Sequence, residues 1–487
     1  MDWSQSLRLI APEETLSIAG LVLLLIAAWG GDKASRLISI LAVAALVGAM
    51  ALVAPALCGQ AMGPDTSAFF GQFRADAFAS YAKILIYLSA AATLVIAPAF
   101  FERLGAMRAE FPVLVVFAAL GMGIMVSATD LLTLYIGLEM NSLAAYVLAA
   151  FLRTDGRSAE AGLKYFVLGA LASGILLFGM SLTYGFTGTT SFSGINAAVA
   201  GGLSHGALFG VIFMLAGPSF KISAVPFHMW TPDVYEGAPA PVTMFFASAP
   251  KVAALGLTMR VLLDAFGDQA QAWQQIVVFL ALASIVVGAL GAIGQKNIKR
   301  LMAYSSINNV GFMLVGLAAA NQQGAAAMLF YLTIYVAMTL GGFVAILMLK
   351  DEDGNTVEDI ASLAGLSRTR PGLALGLAII MFSLAGIPPL FGFWGKFLVF
   401  QAAVDAGMMP LAAIGFAASV IGAFYYLKVV KVMYFDEPVD VVKGESDVWH
   451  KAILAVSCLF ISPLGYLMTK WLGALAATAA TALFFAS

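Results

Sequence analysis

The chain has 487 residues, of which 61% are hydrophobic and only 11% charged, and its formal net charge is −2. A soluble domain carries about 45–50% apolar and about 25% charged residues, so a mean hydropathy of +0.95 excludes a soluble globular protein. The near-zero charge carries no signature of a nucleic-acid partner.

The apolar stretches are continuous rather than alternating, and Leu16 to Trp29, Leu37 to Leu57 and Val113 to Ala128 contain no charge. Crossing the hydrocarbon takes about 20 mostly apolar residues, and only helices or closed barrels satisfy the backbone there. Continuous runs mean helices. They predict about fourteen spans, at residues 12–30, 37–57, 79–100, 111–129, 130–152, 161–187, 204–224, 242–264, 271–293, 299–320, 323–349, 373–404, 410–434 and 451–474. The first run is followed at once by others and lacks a small-residue cleavage site, so it reads as a span and not a signal peptide. The connection at 59–78 is long enough for a short surface segment. The polar one from Lys350 to Pro371 reads as a short helix with a loop.

Lys33, Arg36, Arg103, Arg108, Arg153, Arg157, Lys296, Lys299, Arg300, Arg368, Arg370 and Lys443 all fall in odd-numbered connections, with Arg74 the main exception. The positive-inside rule then places the odd connections in the cytoplasm and both termini on the periplasmic side of a bacterial inner membrane.

The organisation repeats. In "LAGPSFKISAVPFHMWTPDVYEGAPAP", Lys221 sits in a span interrupted by Gly217-Pro218 and followed by Pro226. In "LAGIPPLFGFWGKFLVF", Lys396 stands beside Gly386, Pro388 and Pro389. Lys251 follows Lys221 by 30 residues, and Lys428 follows Lys396 by 32. Paired Gly/Pro-interrupted spans at matching positions point to a transport site. An odd number of spans per unit inverts the second copy. The expected fold is an all-α integral membrane protein with three N-terminal helices over 1–110, a five-helix repeat over 111–265, a second, inverted five-helix repeat over 266–435 and a C-terminal helix over 436–487.

Glu139, Lys221, Lys251 and Lys396 lie well inside their spans, and Lys164 nearer an end. A charge at the bilayer centre costs at least about 2.5–3.5 kcal/mol on insertion scales, so each needs a use or a partner. Low-dielectric surroundings favour the neutral amine and a nearby carboxylate the charged one. Moving one charge against about 150 mV takes about 3.5 kcal/mol, an energy that the approach or withdrawal of an acid can supply. Glu139 is therefore the candidate switch and the lysines the candidate proton carriers. The breaks would admit water beside Lys221 and provide a hinge. Lys164 has Glu160 one turn earlier as a simple partner. His228 could relay protons or cap a helix, and Asp233 and Glu236 could line an entrance. His205 and His450 read as structural. Cys58 and Cys458 have no metal or redox spacing, and no nucleotide loop, haem motif or metal cluster stands out.

Three long motifs, "PFHMWTPDVYEGAPAPVTMFFASAPK", "KRLMAYSSINNVGFMLVGLAA" and "LAGIPPLFGFWGKFLVF", closely resemble the antiporter-like subunits of respiratory complex I, and the resemblance runs over the whole chain. Two features favour one branch of that family. The wording "PDVYEGAP" is one, and a lysine at Lys396, where subunit M carries glutamate, is the other. The long C-terminal lateral helix of subunit L is absent. The resemblance implies a fourteen-helix proton-translocating subunit of the membrane arm, with the other membrane-arm subunits and membrane lipids as partners. It implies that NADH, FMN, the iron–sulfur clusters and quinone are bound by other subunits, with no cofactor or metal in this chain. By motif, Glu139, Lys221, Lys251 and Lys396 match the family's buried glutamate and lysines, and Lys164 the lysine near that glutamate. Asn308-Asn309 departs from the Ser-His of many relatives. An amide cannot change charge at neutral pH, which leaves a water-holding role there. Other classes remain as readings of the residues alone: a subunit of a multi-subunit cation/proton antiporter, a stand-alone solute transporter, or a structural spacer.

Overall fold

The computed structural model describes residues 3–57, 66–444 and 447–484, so Cys58 and residues 59–65 of the connection that follows it lie outside the described residues. Among the described residues, eleven helical segments are long and apolar enough to cross a membrane, or twelve if a pair bent by 64°, Val448–Ile461 with Pro463–Thr481, forms one span. The sequence suggested about fourteen, and the count differs in three places. The 47-residue segment Ala11–Leu57 contains two helices, Ala11–Gly30 and Ser35–Leu57, which fold back on each other across a tight turn at Gly31–Ala34. The expected span 373–404 is two helices, Pro371–Ala385 and Phe391–Asp405. At 1.5 Å per residue each reaches only about 22 Å, too short to cross alone. The last span bends at Pro463, which cannot continue the preceding helix.

Side-chain caps set where several helices begin. Asp76 accepts from Ala79 N–H, Asp130 from Leu132 N–H, Asn297 from Lys299 and Arg300 N–H, and Asn321 from Gly324 N–H. Each satisfies a backbone donor that the first turn leaves free.

The helix Ala240–Arg260, extended by a wider turn to Ala265, is wholly enclosed, and Ile298–Ala318 and Gln322–Met348 are nearly so. Ala11–Leu57, Gly156–Thr187 and Met409–Phe435 bury less than half of their most apolar stretch and form the rim. Lys251, Asn309 and Tyr331 therefore lie on the most buried elements. A small antiparallel hairpin, Ser67–Ala68 with Phe73–Arg74, forms the one two-stranded sheet among the described residues and is bridged to Ala128. The Lys350 to Pro371 connection holds a short turn at Ile360–Leu363 and a four-residue helix at Leu366–Thr369, as its polarity suggested.

Candidate proton-transfer site

The first break does not fall where the sequence placed it. The helix His205–Ile222 runs unbroken through Gly217-Pro218 and ends one residue after Lys221. Ser223 takes the left-handed conformation at φ 64°. Its N–H donates to the Phe220 carbonyl at 3.0 Å, and Ala224 N–H donates to the Ser219 carbonyl at 2.8 Å. This pair of bonds is a standard way to close a helix, and it leaves the final carbonyl open. Lys251 Nζ, from the enclosed helix, donates to the Ile222 carbonyl at 2.6 Å and to Ser223 Oγ at 2.5 Å. Thr231 Oγ1 donates to the same Ser223 Oγ, Trp230 Nε1 to the Phe220 carbonyl at 2.8 Å, and Val225 N–H to Ser284 Oγ at 2.9 Å. The chain then resumes as the short helix Thr231–Gly237.

The second break repeats this geometry. Pro371–Ala385 ends at Gly386, φ 80°, with Gly386 N–H on the Ser383 carbonyl at 3.0 Å and Ile387 N–H on the Phe382 carbonyl at 3.1 Å. Lys396 Nζ donates to the Leu384 and Ala385 carbonyls at 2.7 and 3.3 Å. Hydrogen bonding thus pairs Lys396 with Lys251, and not with Lys221 as the sequence spacing suggested. Each of the two amines closes the carbonyl end of an interrupted helix, where the partial negative charge of the helix favours a cation. Counting from the left-handed residue, the position of Lys221 corresponds to Leu384. Lys428, matched to Lys251 by spacing, lies 3.5 Å from the Ile293 carbonyl at the end of another helix.

Lys221 is 4% exposed, and its Nζ has no hydrogen-bond partner among the described residues. It faces rings instead, at 5.1 Å from the centroid of Tyr146, 5.0 Å from Tyr165 and 5.9 Å from Phe220. Aromatic faces attract a cation without neutralising it. Tyr165 stacks on Trp230 at 4.4 Å and 11°, and Lys251 Nζ lies 5.7 Å from the Trp230 ring. One aromatic pair therefore separates the two amines. Glu139 stands seven residues before Tyr146 on the helix Leu131–Ala149, two turns away on the same face. Its carboxylate accepts a hydrogen bond from Ser173, and among the described residues it forms no ion pair.

Lys164 is not brought to Glu139. Its amine pairs with Glu160 and with Asp233, both at 2.7 Å. Asp233 also pairs with Arg300 at 2.7 Å, and Arg300 with Glu236 at 3.0 Å. Burial alone would push the Asp233 carboxyl up, but Lys164 and Arg300 hold it below the usual carboxylate range. Lys299 Nζ extends this network, donating to the Glu236 and Ala238 carbonyls and to Glu358 at 3.2 Å. Asp233 and Glu236 thus belong to a surface-edge ion network that also anchors the segment after the break. His228 lies half-buried in the turn between the two helical pieces, with no partner for Nδ1 among the described residues.

A buried polar chain links the helices Ile298–Ala318, Gln322–Met348 and Met409–Phe435. Tyr331 donates to Asn309 Oδ1 at 2.6 Å, and Asn309 Nδ2 donates to the Ser305 carbonyl at 2.8 Å and to the Tyr426 hydroxyl at 3.3 Å. Ser305 and Tyr426 share a hydrogen bond of 2.5 Å, and Ser306 and Tyr335 one of 2.8 Å. Asn308 Nδ2 binds the Ile285 carbonyl at 2.7 Å. One turn further along the same helix, the Phe312 ring lies 4.6 Å from Lys396 Nζ. Sequence reasoning singled out the two asparagines but missed the tyrosines, whose signal was available: a buried Tyr hydroxyl usually needs a partner. It also missed two enclosed ion pairs, Glu13 with Lys83 at 2.7 Å and Asp76 with Arg260, held by two bonds of 2.7 and 2.9 Å. Lys83 was visible as a charge inside an apolar run. Among the described residues no group of three or more His, Cys, Asp or Glu side chains could hold a metal ion.

Fold and site together define a polytopic membrane protein with two helices interrupted at lysine-capped breaks, an arrangement found in ion-coupled transporters. A family model for the transmembrane part of the NADH:quinone oxidoreductase/Mrp antiporter proteins matches residues 128–422, more than half of the chain. A protein of Erythrobacter litoralis named NADH-quinone oxidoreductase subunit N is 69% identical over 487 residues, covering 100% of both chains. NADH-quinone oxidoreductase subunit N 1 of Rhizobium meliloti is 50% identical over 99% of this chain and 98% of its own. A chain of respiratory complex I from Thermus thermophilus, solved with bound aureothin, superposes with a TM-score of 0.82 at 33% identity, over 96% of this chain and 99% of that one. A chain of the Mrp complex from Dietzia sp. DQ12-45-1b shares the fold, with a TM-score of 0.82 at 22% identity over 99% and 98% of the two chains. The chain belongs to the NADH-quinone oxidoreductase subunit N family, the antiporter-like subunits of the membrane arm of respiratory complex I.

Proposed function

We propose that this chain carries protons through the membrane arm, coupled to electron transfer from NADH to quinone, with Lys221, Lys251 and Lys396 as carriers and Glu139 as the electrostatic switch. The observation that carries this reading is the pair of interrupted helices, each closed by a buried amine. A buried polar group of Asn309, Tyr331 and Tyr426 lies on helices packed beside them. Lys221 adds an amine held only by rings.

The step at Lys221 follows from charge. When Glu139 leaves Ser173 and turns towards Tyr146, its negative charge favours the ammonium form of Lys221. When it returns to Ser173, release of the proton is favoured. The proton passes to the Lys251 amine by way of water admitted at the break, and then along the hydroxyls and amides to Lys396. Loss of the proton from Lys251 or Lys396 weakens its hold on the helix-end carbonyls, so proton state and backbone position are linked. His228 and Lys164 act at the entrance, Lys164 as part of the ion network around Asp233.

The matching breaks support two inverted five-helix repeats, 111–265 and 266–435, flanked by three helices over 1–110 and one over 436–487. In this reading NADH, FMN, the iron–sulfur clusters and quinone are bound by other subunits, and neighbouring antiporter-like subunits flank this one in the bacterial inner membrane. Both termini face the periplasm, on the distribution of Lys and Arg.

The test is Glu139→Gln and Lys221→Ala introduced separately into the assembled complex. Assembly, NADH:quinone reduction and proton pumping are measured independently. The reading requires pumping per electron to fall while assembly is kept. Loss of assembly alone, with normal pumping in whatever complex forms, would instead mark both residues as structural.

A further inference from the structure

The helices Pro371–Ala385 and Val448–Ile461 pack side by side and leave between them an open groove of about 520 Å³. Its length is apolar, walled by Leu375, Ile379 and Leu454 and ending at Cys458. Leu375 is 56% exposed, so the groove opens outward from the helix bundle. Gly376 gives it depth. A Cβ there would stand 3.1 Å from Leu454, and the Cys458 thiol sits 3.6 Å from its carbonyl. The other end carries Arg370, at the start of its helix, and Lys451. Nearby Arg368 pairs with Glu437, and Lys443 with Glu352 and Asp440. Among the described residues neither Arg370 nor Lys451 has a carboxylate within ion-pair distance. Arg370 spends one nitrogen on the Lys443 carbonyl and keeps its remaining donors.

We propose that this groove binds an anionic diacyl phospholipid, its phosphate between Arg370 and Lys451 and one acyl chain along the slot. From Arg370 to Ile379 the helix rises about 14 Å, enough to line a substantial part of an acyl chain. Two cations lie at the end of the groove where the polar connection meets the apolar helix, and greasy walls fill the rest, so the groove has the same polarity gradient as a lipid. A free phosphate would leave the slot unused. An apolar helix of a neighbouring subunit would leave both cations uncompensated. The groove shares the helix Pro371–Ala385 with the Lys396 break, but none of Lys221, Lys251, Lys396, Asn309, Tyr331 or Tyr426 lines it, so the proposal stands or falls separately from the proton pathway.

The experiment uses the intact complex in lipid nanodiscs and two photoreactive probes with the same diazirine-bearing acyl chain, one a phosphatidylglycerol and one a phosphatidylcholine. Each basic side chain near an anionic headgroup is worth about fivefold in affinity. Adducts on peptides from Pro371–Ala385 and Val448–Ile461 are therefore expected at least about tenfold more often with phosphatidylglycerol. The double variant Arg370→Gln/Lys451→Gln should reduce phosphatidylglycerol labelling to the phosphatidylcholine level. Ile379→Trp, which fills the slot more than two turns from Arg370, should remove adducts of both probes from these peptides. NADH:quinone reduction should be unchanged in each variant. Equal labelling by the two headgroups, labelling that survives the double variant, or a neighbouring subunit's helix seated in the groove in a map of the complex overturns the proposal.

Discussion

The amine of Lys251 donates a 2.6 Å hydrogen bond to the carbonyl of Ile222, the residue next to Lys221. A lysine on one helix thereby closes the helix that carries another. Removing it leaves a buried carbonyl unpaired, which costs about 1–3 kcal/mol. Lys251→Ala is expected to lower the melting temperature of the complex by a few degrees and to abolish most proton pumping. Lys251→Gln can still donate to Ile222 but carries no proton. It should restore much of the stability and little of the pumping. Recovery of pumping by Gln would make Lys251 a structural cap only.

Ser173 holds the Glu139 carboxylate two turns from the rings around Lys221. Ser173→Ala removes that anchor but leaves the acid in place. Pumping should fall a few-fold and its pH profile should shift, whereas Glu139→Gln should cost at least about tenfold. Pumping assays across pH 6–8 on both variants distinguish the two. Identical losses would mean that Ser173 does not position the acid.

Gly386 and Gly407 form a matched pair. Both adopt positive φ, 80° and 78°, so alanine is strained at each by about 1–2 kcal/mol. Only at Gly386 would the new Cβ also meet Lys396, 3.0 Å from its Cδ, whereas nothing lies within 4 Å at Gly407. Gly386→Ala should therefore reduce stability and pumping together. Gly407→Ala should reduce stability alone. Equal pumping in the two variants would detach the second break from transport.

Asp233 supplies a pH-dependent contribution of known sign. Lys164 and Arg300 hold its carboxyl below the usual range, so the stabilisation is fully present above about pH 4, the range of an unfolded aspartate. It is lost as pH falls through the folded value. The side chain is 34% exposed, so screening keeps the effect small. Thermal melts of wild type and Asp233→Asn should differ at pH 7 and converge as the pH is lowered towards 4 and below. A gap that widens on acidification would contradict this account.

Some of the site was legible because its signals are one-dimensional. Lys221, Lys251 and Lys396 stood out as charges in apolar runs, and the Gly and Pro clusters marked two interrupted spans. The position of the first break was misread. Pro218 is tolerated inside the helix, and the chain turns instead at Ser223, a residue whose left-handed conformation no local pattern announced. Lys164 illustrates the opposite case. Its simple partner Glu160 was readable one turn away, while Asp233, 69 residues on, was not.

By itself the sequence determined that this protein lives in a membrane, that it is built of helices, where its buried charges sit and to which family its long motifs belong. Hydrophobicity, charge and helix breakers act locally along a chain, so they can be read along it. Only the tertiary structure decided which carbonyl each lysine closes, that Glu139 rests on Ser173, that Tyr165 and Trp230 stand between two amines, and that Lys396 is the geometric counterpart of Lys251. Those relations depend on how each helix is rotated and how deeply it is set against neighbours tens or hundreds of residues away. Packing of the whole bundle sets that rotation, and no single stretch of sequence carries it.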